Sequence, residues 1–205
     1  LPLFAVAILT LVHSRVDTVM LGFMGTYRDV ASYQAAYKLL EASRFAVRPA
    51  TTVLFPLLAA MAVRREWDGL RTYMGRALAS AGWIGLGIAA VLALGADVIV
   101  RLAFGRQYAD AAPLLRVLVL SLPLLFVGNI AMMVSQAICR ERDLLVRLAV
   151  CLVINVGANL IAIPRWGPLG AAWTTVGSEL LLCVLLLRAN AVWLVQPLVV
   201  ERSAA

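Results

Sequence analysis

Charged side chains recur along one side of an otherwise apolar stretch, residues 31–62. On an α-helix of about 3.6 residues per turn, three basic residues and one acidic residue of this stretch share a wedge of about 140° with polar neighbours. Each charge in hydrocarbon costs about 2.5–3.5 kcal/mol on insertion scales, so we expect the wedge to line a wet cavity. The wedge comprises Tyr33, Gln34, Tyr37, Lys38, Glu41, Arg44, Arg48, Thr51 and Thr52, with Phe45 as its one apolar member.

The chemistry that these side chains could perform is the binding of an anion. Arg44 and Arg48 have no acidic partner that the sequence suggests, and a guanidinium stays charged and makes bidentate contacts with phosphate. Tyr33 and Tyr37 offer aromatic faces and hydroxyls on which sugar rings stack and to which they bond. An equally good interpretation is that these tyrosines anchor the helix at the membrane interface.

The first apolar stretch, residues 1–25, carries His13, Arg15 and Asp17. If this stretch and the next form an antiparallel hairpin, Asp17 and Lys38 lie at similar depths, about 10–12 Å from its outer end. Arg15 and Glu41 likewise match at about 15 Å. We therefore predict two ion pairs, Asp17 with Lys38 and Arg15 with Glu41, and their alternative role is mutual neutralisation inside the bundle. His13 is expected to pack against Asp17, with proton relay as the other interpretation.

Later apolar stretches hold a second set of polar residues. Glu179 is an isolated carboxylate and therefore a candidate for a functional group rather than a packing group. The uncharged members are expected to make hydrogen bonds between helices. They are Asn129, Ser135, Gln136, Asn155, Asn159 and Ser178.

The composition identifies the elements that must position these residues. The chain is 63% hydrophobic and 14% charged, with a mean hydropathy of +0.93, which is typical of an integral membrane protein. Since about 20 residues cross a bilayer, we predict an all-α, polytopic bundle of six transmembrane helices over residues 1–188. A tail, residues 189–205, is expected to be cytoplasmic or interfacial. The predicted spans are 1–25, 31–62, 77–96, 111–137, 148–163 and 170–187.

The connecting segments indicate the orientation of the bundle. Loops 63–76 and 139–147 are richer in arginine than the loops on the opposite side, so both ends of the chain are expected to be cytoplasmic. This distribution also explains the net charge of +7 without nucleic acid. Segment 97–110 is expected to form an interfacial turn or short helix. Residues 164–170, rich in proline and glycine, predict an outer hairpin.

Several functions are excluded by what the sequence lacks. There is no Walker, HExxH or GxSxG motif, and a single histidine with three scattered cysteines predicts neither a zinc site nor a disulfide framework. We expect no catalytic residue, no metal and no cofactor, and so no enzyme. The abrupt apolar start at Leu1 indicates the C-terminal part of a longer protein.

Four segments resemble one transporter family. The segments RVDTVMLGFMG, YQAAYKL with RPATTVLFPLLA, FGRQYADAAPLLRVL and NVGANLIAIPRWGPLGAAWTTVGSE are distributed along nearly the whole chain. They are similar to the C-terminal lobe of polysaccharide flippases in the multidrug/oligosaccharidyl-lipid/polysaccharide exporter superfamily.

The resemblance implies one lobe of a two-lobed, alternating-access transporter, whose partner is a missing N-terminal six-helix lobe. The implied cargo is a lipid-linked oligosaccharide, moved across the bacterial inner membrane for polysaccharide biosynthesis. Its prenyl diphosphate would meet Arg15, Lys38, Arg44 and Arg48. Asp17 and Glu41 would tune the site or couple it to a cation.

Other functions stay open at this point. One is a membrane-embedded subunit for glycopolymer assembly, although the outer loops are short. Another is a non-transporting scaffold whose charges are all paired. A third is a cation-coupled drug exporter, against which the basic series of residues 38–48 argues, because such a site favours acidic groups.

Overall fold

The chain folds into a bundle of α-helices. The computed structural model describes the backbone of residues 2–46 and 48–203, and the side chains of residues 4–45 and 52–191. Within these residues there are α-helices and short 3₁₀ turns and no strand. The helices are α1 Pro2–Met24, α2 Tyr27–Ser43, α3 Arg48–Val63, α4 Trp67–Leu94, α5 Ala96–Phe104, α6 Ala111–Leu118, α7 Leu122–Ala137 and α8 Glu141–Ser203.

The membrane character of the bundle is confirmed by helix length and hydropathy. Four helical stretches of the described chain are long and apolar enough to cross a bilayer: Phe4–Met24, Trp67–Leu94, Ala111–Ala137 and Glu141–Ala191. A shorter apolar helix covers Thr52–Val63. The protein is therefore an all-α, multi-pass membrane protein. That its membrane spans number six stays a prediction.

The second predicted span, residues 31–62, is wrong as a single helix. A capping box in which Thr26 and Asp29 bond reciprocally, at 3.2 Å and 2.9 Å, starts α2. After Ser43 the backbone tightens into a 3₁₀ turn, Arg44–Ala46, and α3 begins at Arg48. Proline interrupts a continuing helix but is tolerated in a first turn, and Pro49 lies there in α3. The charged wedge is therefore divided between two helices.

Segment 97–110 was predicted to form a turn or short helix at the membrane interface, and most of the short helix α5 lies within it. Its interfacial position stays a prediction. Its end bends at Gly105, whose φ of 89° suits a residue without a side chain. The helix that follows crosses the core as α6 and α7, joined by the 3₁₀ turn Val119–Ser121.

The last long helix, α8, is a hairpin of two arms, residues 141–166 and 168–203. Gly167 separates them with φ 57° and ψ −139°, a conformation that glycine alone adopts readily. A Cβ atom on Gly170 would lie 2.4 Å from the Ala162 carbonyl oxygen, so the arms meet closely there. The predicted hairpin is confirmed, and its position on the outer side stays a prediction. The second arm stays helical through Ser203, beyond the predicted boundary at residue 188.

Helix α1 packs against both arms of α8 and contacts α2. Apolar side chains from α1, α7 and α8 form the cluster that includes Val6, Ala131, Leu148 and Leu186. This arrangement brings the polar residues of α1 and α2 to the polar face of the hairpin.

Candidate functional site

A buried carboxylate lies where α1 meets the two arms of α8. Asp17 is 4% exposed and accepts hydrogen bonds from Asn159 Nδ2 at 2.7 Å and from Thr175 Oγ1 at 2.6 Å. The predicted ion pair of Asp17 with Lys38 is wrong, because Lys38 is exposed on α2. Depth along two helices does not determine which faces meet, and α8 supplies the partners of Asp17 instead.

Further hydrogen bonds extend from this carboxylate into the bundle. Asn159 also donates to Asn155 Oδ1 at 3.0 Å, and Asn155 donates to Ser178 Oγ at 3.1 Å, as the sequence predicted for these polar residues. Tyr33 Oη lies 3.0 Å from Thr175 Oγ1. Because the Thr175 hydroxyl has one proton, donating it to Asp17 leaves Tyr33 as the donor to Thr175. We call Asp17, Tyr33, Asn155, Asn159, Thr175 and Ser178 the Asp17 network.

The two tyrosines of α2 belong to the core. Tyr33 is 0% exposed and Tyr37 6%, and their rings stack with centroids 6.1 Å apart. Tyr37 Oη donates to the Ser14 carbonyl oxygen at 2.9 Å. The interfacial-anchor interpretation is therefore wrong, since both rings are enclosed between helices. Their role in sugar binding stays a prediction.

The second predicted ion pair is present. Arg15 Nη2 lies 2.7 Å from Glu41 Oε1, and the two side chains are 43% and 40% exposed. The Arg15 guanidinium also lies over the Tyr37 ring, 5.8 Å from its centroid. This pair links α1 to α2 at the edge of their contact. Because both side chains are partly exposed, another anion can replace Glu41 as the partner of Arg15.

His13 contacts Glu179 instead of Asp17. His13 Nε2 lies 3.7 Å from Glu179 Oε1, across the contact between α1 and the second arm of α8. His13 and Glu179 line a small cavity of about 40 Å³ together with Arg44 and Asn129. Thus Asn129, expected to bond between helices, lies instead at a cavity wall.

Arg44 also reaches an open groove. The groove has a volume of about 390 Å³ and lies between α1 and α7. Among the described side chains no acidic oxygen lies within ion-pair distance of Arg44. The groove is lined by Val6, Ala7, Thr10, Leu11, Ser14, Arg44, Met132 and Gln136.

The structure divides the predicted site residues into separate places. Arg15, Glu41 and Tyr37 lie together, Arg44 lies beside Glu179, and Lys38 stands apart. The side chain of Arg48 is outside the described residues. Sequence analysis missed Asn159 and Thr175 as partners of Asp17, although polar residues spaced by three to four along apolar helices were a signal of a shared face.

Taken together, the fold and site define a multi-pass helical membrane protein with a buried carboxylate network and a basic groove. A sequence model described as "Polysaccharide biosynthesis protein" matches residues 1–113, and the chain belongs to this family. The family match confirms the resemblance found in the sequence.

A solved structure has a similar fold. It is described as "Lipid II flippase MurJ, inward closed conformation", with a TM-score of 0.74 and 17% sequence identity. The match covers 88% of this chain and 40% of that chain. The low identity supports the shared fold alone. No curated protein sequence matches the chain significantly.

Proposed function

We propose that the chain forms one lobe of a flippase that moves lipid-linked oligosaccharide across the bacterial inner membrane by alternating access. The observation that carries this proposal is the groove at Arg44, where a guanidinium with no carboxylate of the described residues within ion-pair distance faces an open volume of about 390 Å³. The family and the flippase fold support it. The remaining parts of the proposal are six spans, cytoplasmic ends and a second lobe supplied by the rest of the protein.

The groove has the chemistry of a prenyl diphosphate site. Arg44, with Ser14 and Gln136, offers donors to phosphate oxygens, while Leu11 and Met132 offer apolar surface to the first prenyl units. The diphosphate head and the prenyl chain of such a lipid thus both find matching side chains in one groove.

The other basic residues would act along the path of the cargo. Arg15 is already paired with Glu41, so a phosphate must compete with that carboxylate, which tunes affinity. Lys38, exposed on α2, would contact the cargo at another stage, and we assign the same role to Arg48 from its sequence position. Tyr33 and Tyr37 support α2 from inside the bundle and would meet sugar only if the contact with α1 opens.

Asp17 is proposed to couple transport to a proton or a small cation. Its nearest partners, Asn159 and Thr175, are neutral donors, so the carboxylate has no cationic side chain to balance its charge. A buried carboxylate in that situation takes up a proton or accompanies a cation. Because its partners come from both arms of α8, such an event changes the α1–α8 contact.

The Asp17 network also favours a second candidate, the cation-coupled drug exporter. Such a protein would bind a cationic drug near a carboxylate, whereas the groove at Arg44 has no acidic lining residue. A scaffold or glycopolymer assembly subunit would leave Arg44 without a ligand. Ligand charge therefore separates these functions.

The experiment is a binding titration with the intact protein in nanodiscs. A short-chain prenyl diphosphate is the probe, and Arg44→Gln is compared with Arg101→Gln, which removes an exposed arginine of α5. Because a hydrogen bond to a charged group is worth about 1.5–3 kcal/mol, Arg44→Gln should weaken binding by at least about tenfold. The control should bind like the parent. Equal affinity of the two variants, or a preference for cations, would overturn the proposal.

A further inference from the structure

His13 and Glu179 form a dyad that the Asp17 network does not use. The His13 ring is 6% exposed and the Glu179 side chain 14%, and their closest atoms lie 3.7 Å apart on two different helices. Nδ1 of His13 is buried and has no hydrogen-bond partner within the described part of the chain. A buried polar atom without a partner is uncommon, so a further group is expected to reach it.

The cavity beside the dyad can hold such a group. Its volume of about 40 Å³ exceeds the about 10–15 Å³ that one water needs, and its walls are partly polar. His13, Glu179, Asn129 and Arg44 all line it. Water there can carry a proton to or from the dyad without a path through lipid.

The charges around the dyad oppose one another. On the α2 side, Arg44 lines the same cavity as Glu179, and on α1 Asp17 is a further charged group near it. Tyr37 of α2 and the two cysteines of α8, Cys151 and Cys183, also interact electrostatically with Glu179. Arg44 is the one among these groups that also faces the open groove. A change at Arg44 therefore acts directly on the charge of the dyad.

We propose that His13 and Glu179 form a proton-binding site, and that an anion bound at Arg44 makes this site take up a proton. The proton arrives from bulk solvent through water in the groove and the adjoining cavity, which restores each water that passes it on, and it binds the imidazole, whose positive charge Glu179 compensates. A bound phosphate offsets the positive charge of Arg44, which otherwise opposes an imidazolium in the same cavity. By linkage, protonation of the dyad strengthens anion binding to the same degree. The linkage rests on the proposed function, whereas the proton-binding dyad does not.

The single histidine makes the experiment direct. His13 is the one histidine of the sequence, so ¹⁵N-histidine labelling of the chain in nanodiscs gives the two ring-nitrogen signals of a single imidazole, which report its protonation state. The signals are followed between about pH 5 and pH 8, around the ordinary titration range of histidine. Glu179→Gln is compared with Glu41→Gln, which removes the carboxylate paired with Arg15.

The dyad is tested without any ligand. In the parent chain the imidazole should become charged within this range, and at one pH Glu179→Gln should lower the ratio of charged to neutral ring by at least about tenfold. Glu41→Gln should change this ratio by less than about threefold. An imidazole that stays neutral down to about pH 5 in the parent, or that responds equally to both variants, overturns the dyad.

The linkage is tested by adding a short-chain prenyl diphosphate while ³¹P spectra report its binding. Binding should raise the charged fraction of His13 in the parent and leave it unchanged in Arg44→Gln. A diphosphate that binds without moving the His13 signal overturns the linkage alone. A diphosphate that does not bind overturns the linkage together with the proposed anion site, and the ligand-free titration then still decides the dyad.

Discussion

The Asp17 network and the groove at Arg44 accommodate charge inside the bundle in opposite ways. Asp17 is 4% exposed, and neutral donors from α8 satisfy it. Arg44 faces an open volume, and no carboxylate of the described residues lies within ion-pair distance of it, although Glu179 lines the cavity beside it. A charge enclosed by hydrogen bonds contributes to the structure of the bundle, whereas a charge at an open groove is available to a ligand. Substitutions in the first region should therefore change stability, and substitutions in the second should change binding.

The largest effect is expected from removing the carboxylate. Asp17→Ala leaves the Asn159 and Thr175 donors without their acceptor, and each unsatisfied buried group costs about 1–3 kcal/mol. We expect a loss of about 2–4 kcal/mol in the free energy of unfolding. Glu41→Ala, at an exposed pair, is the control and should cost less than about 1 kcal/mol. Denaturant unfolding of the protein in micelles measures both, and equal losses would contradict the structural role of Asp17.

The next effect concerns the α8 hairpin that assembles the network. A Cβ on Gly170 would lie 2.4 Å from the Ala162 carbonyl oxygen, so Gly170→Ala must push the arms apart, at about 1–3 kcal/mol. Gly177→Ala meets no atom within 4 Å and is the matched control on the same arm. It should be neutral or stabilising, because alanine favours a helix. If Gly170→Ala changes thermal stability as little as Gly177→Ala does, the two arms do not approach each other as closely as described.

A smaller effect is expected at one hydroxyl of the network. Thr175→Val keeps the shape of the side chain but removes the donor to Asp17, which should cost about 1–2 kcal/mol. Thr72→Val removes an exposed hydroxyl that bonds to its own helix and should cost about 0.3 kcal/mol. The difference between the two unfolding free energies sharpens the comparison, and a difference near zero contradicts the role of Thr175.

The smallest effect belongs to the ion pair between Arg15 and Glu41. Because both side chains are about two-fifths exposed, a double-mutant cycle should give a coupling free energy of about 0.2–1 kcal/mol. Salt should weaken this coupling, since exposed charges are screened. A larger coupling that does not change with salt would show that the pair behaves as a buried charge, like Asp17, and would contradict the prediction.

Depth along the helices was predictable from the sequence, but rotation about their axes was not. Counting residues placed Arg15 beside Glu41, and that pair is present. The same count placed Asp17 beside Lys38, but α8 presents Asn159 and Thr175 to that face of α1 instead. An estimate that pairs residues of two helices does not include the contacts that a third helix makes with either of them.

Turns were predictable where glycine or proline determines the backbone. Residues 164–170 form the predicted hairpin because Gly167 adopts a conformation that other residues avoid. The break between α2 and α3 was not predicted, since membrane helices tolerate proline when neighbours satisfy the freed carbonyls, so a proline alone does not mark the end of a helix. The groove at Arg44 could not be predicted, because α7 lies far away in the sequence.

The central claim is that Arg44 lies on the path of an anionic lipid. Its most direct test is translocation of a fluorescent prenyl-diphosphate oligosaccharide in proteoliposomes containing the intact protein, its Arg44→Gln variant or its Arg101→Gln variant. We expect the parent and Arg101→Gln to move the lipid, and Arg44→Gln to be slower by at least about tenfold with an unchanged unfolding midpoint. Equal translocation by all three proteins would contradict the account.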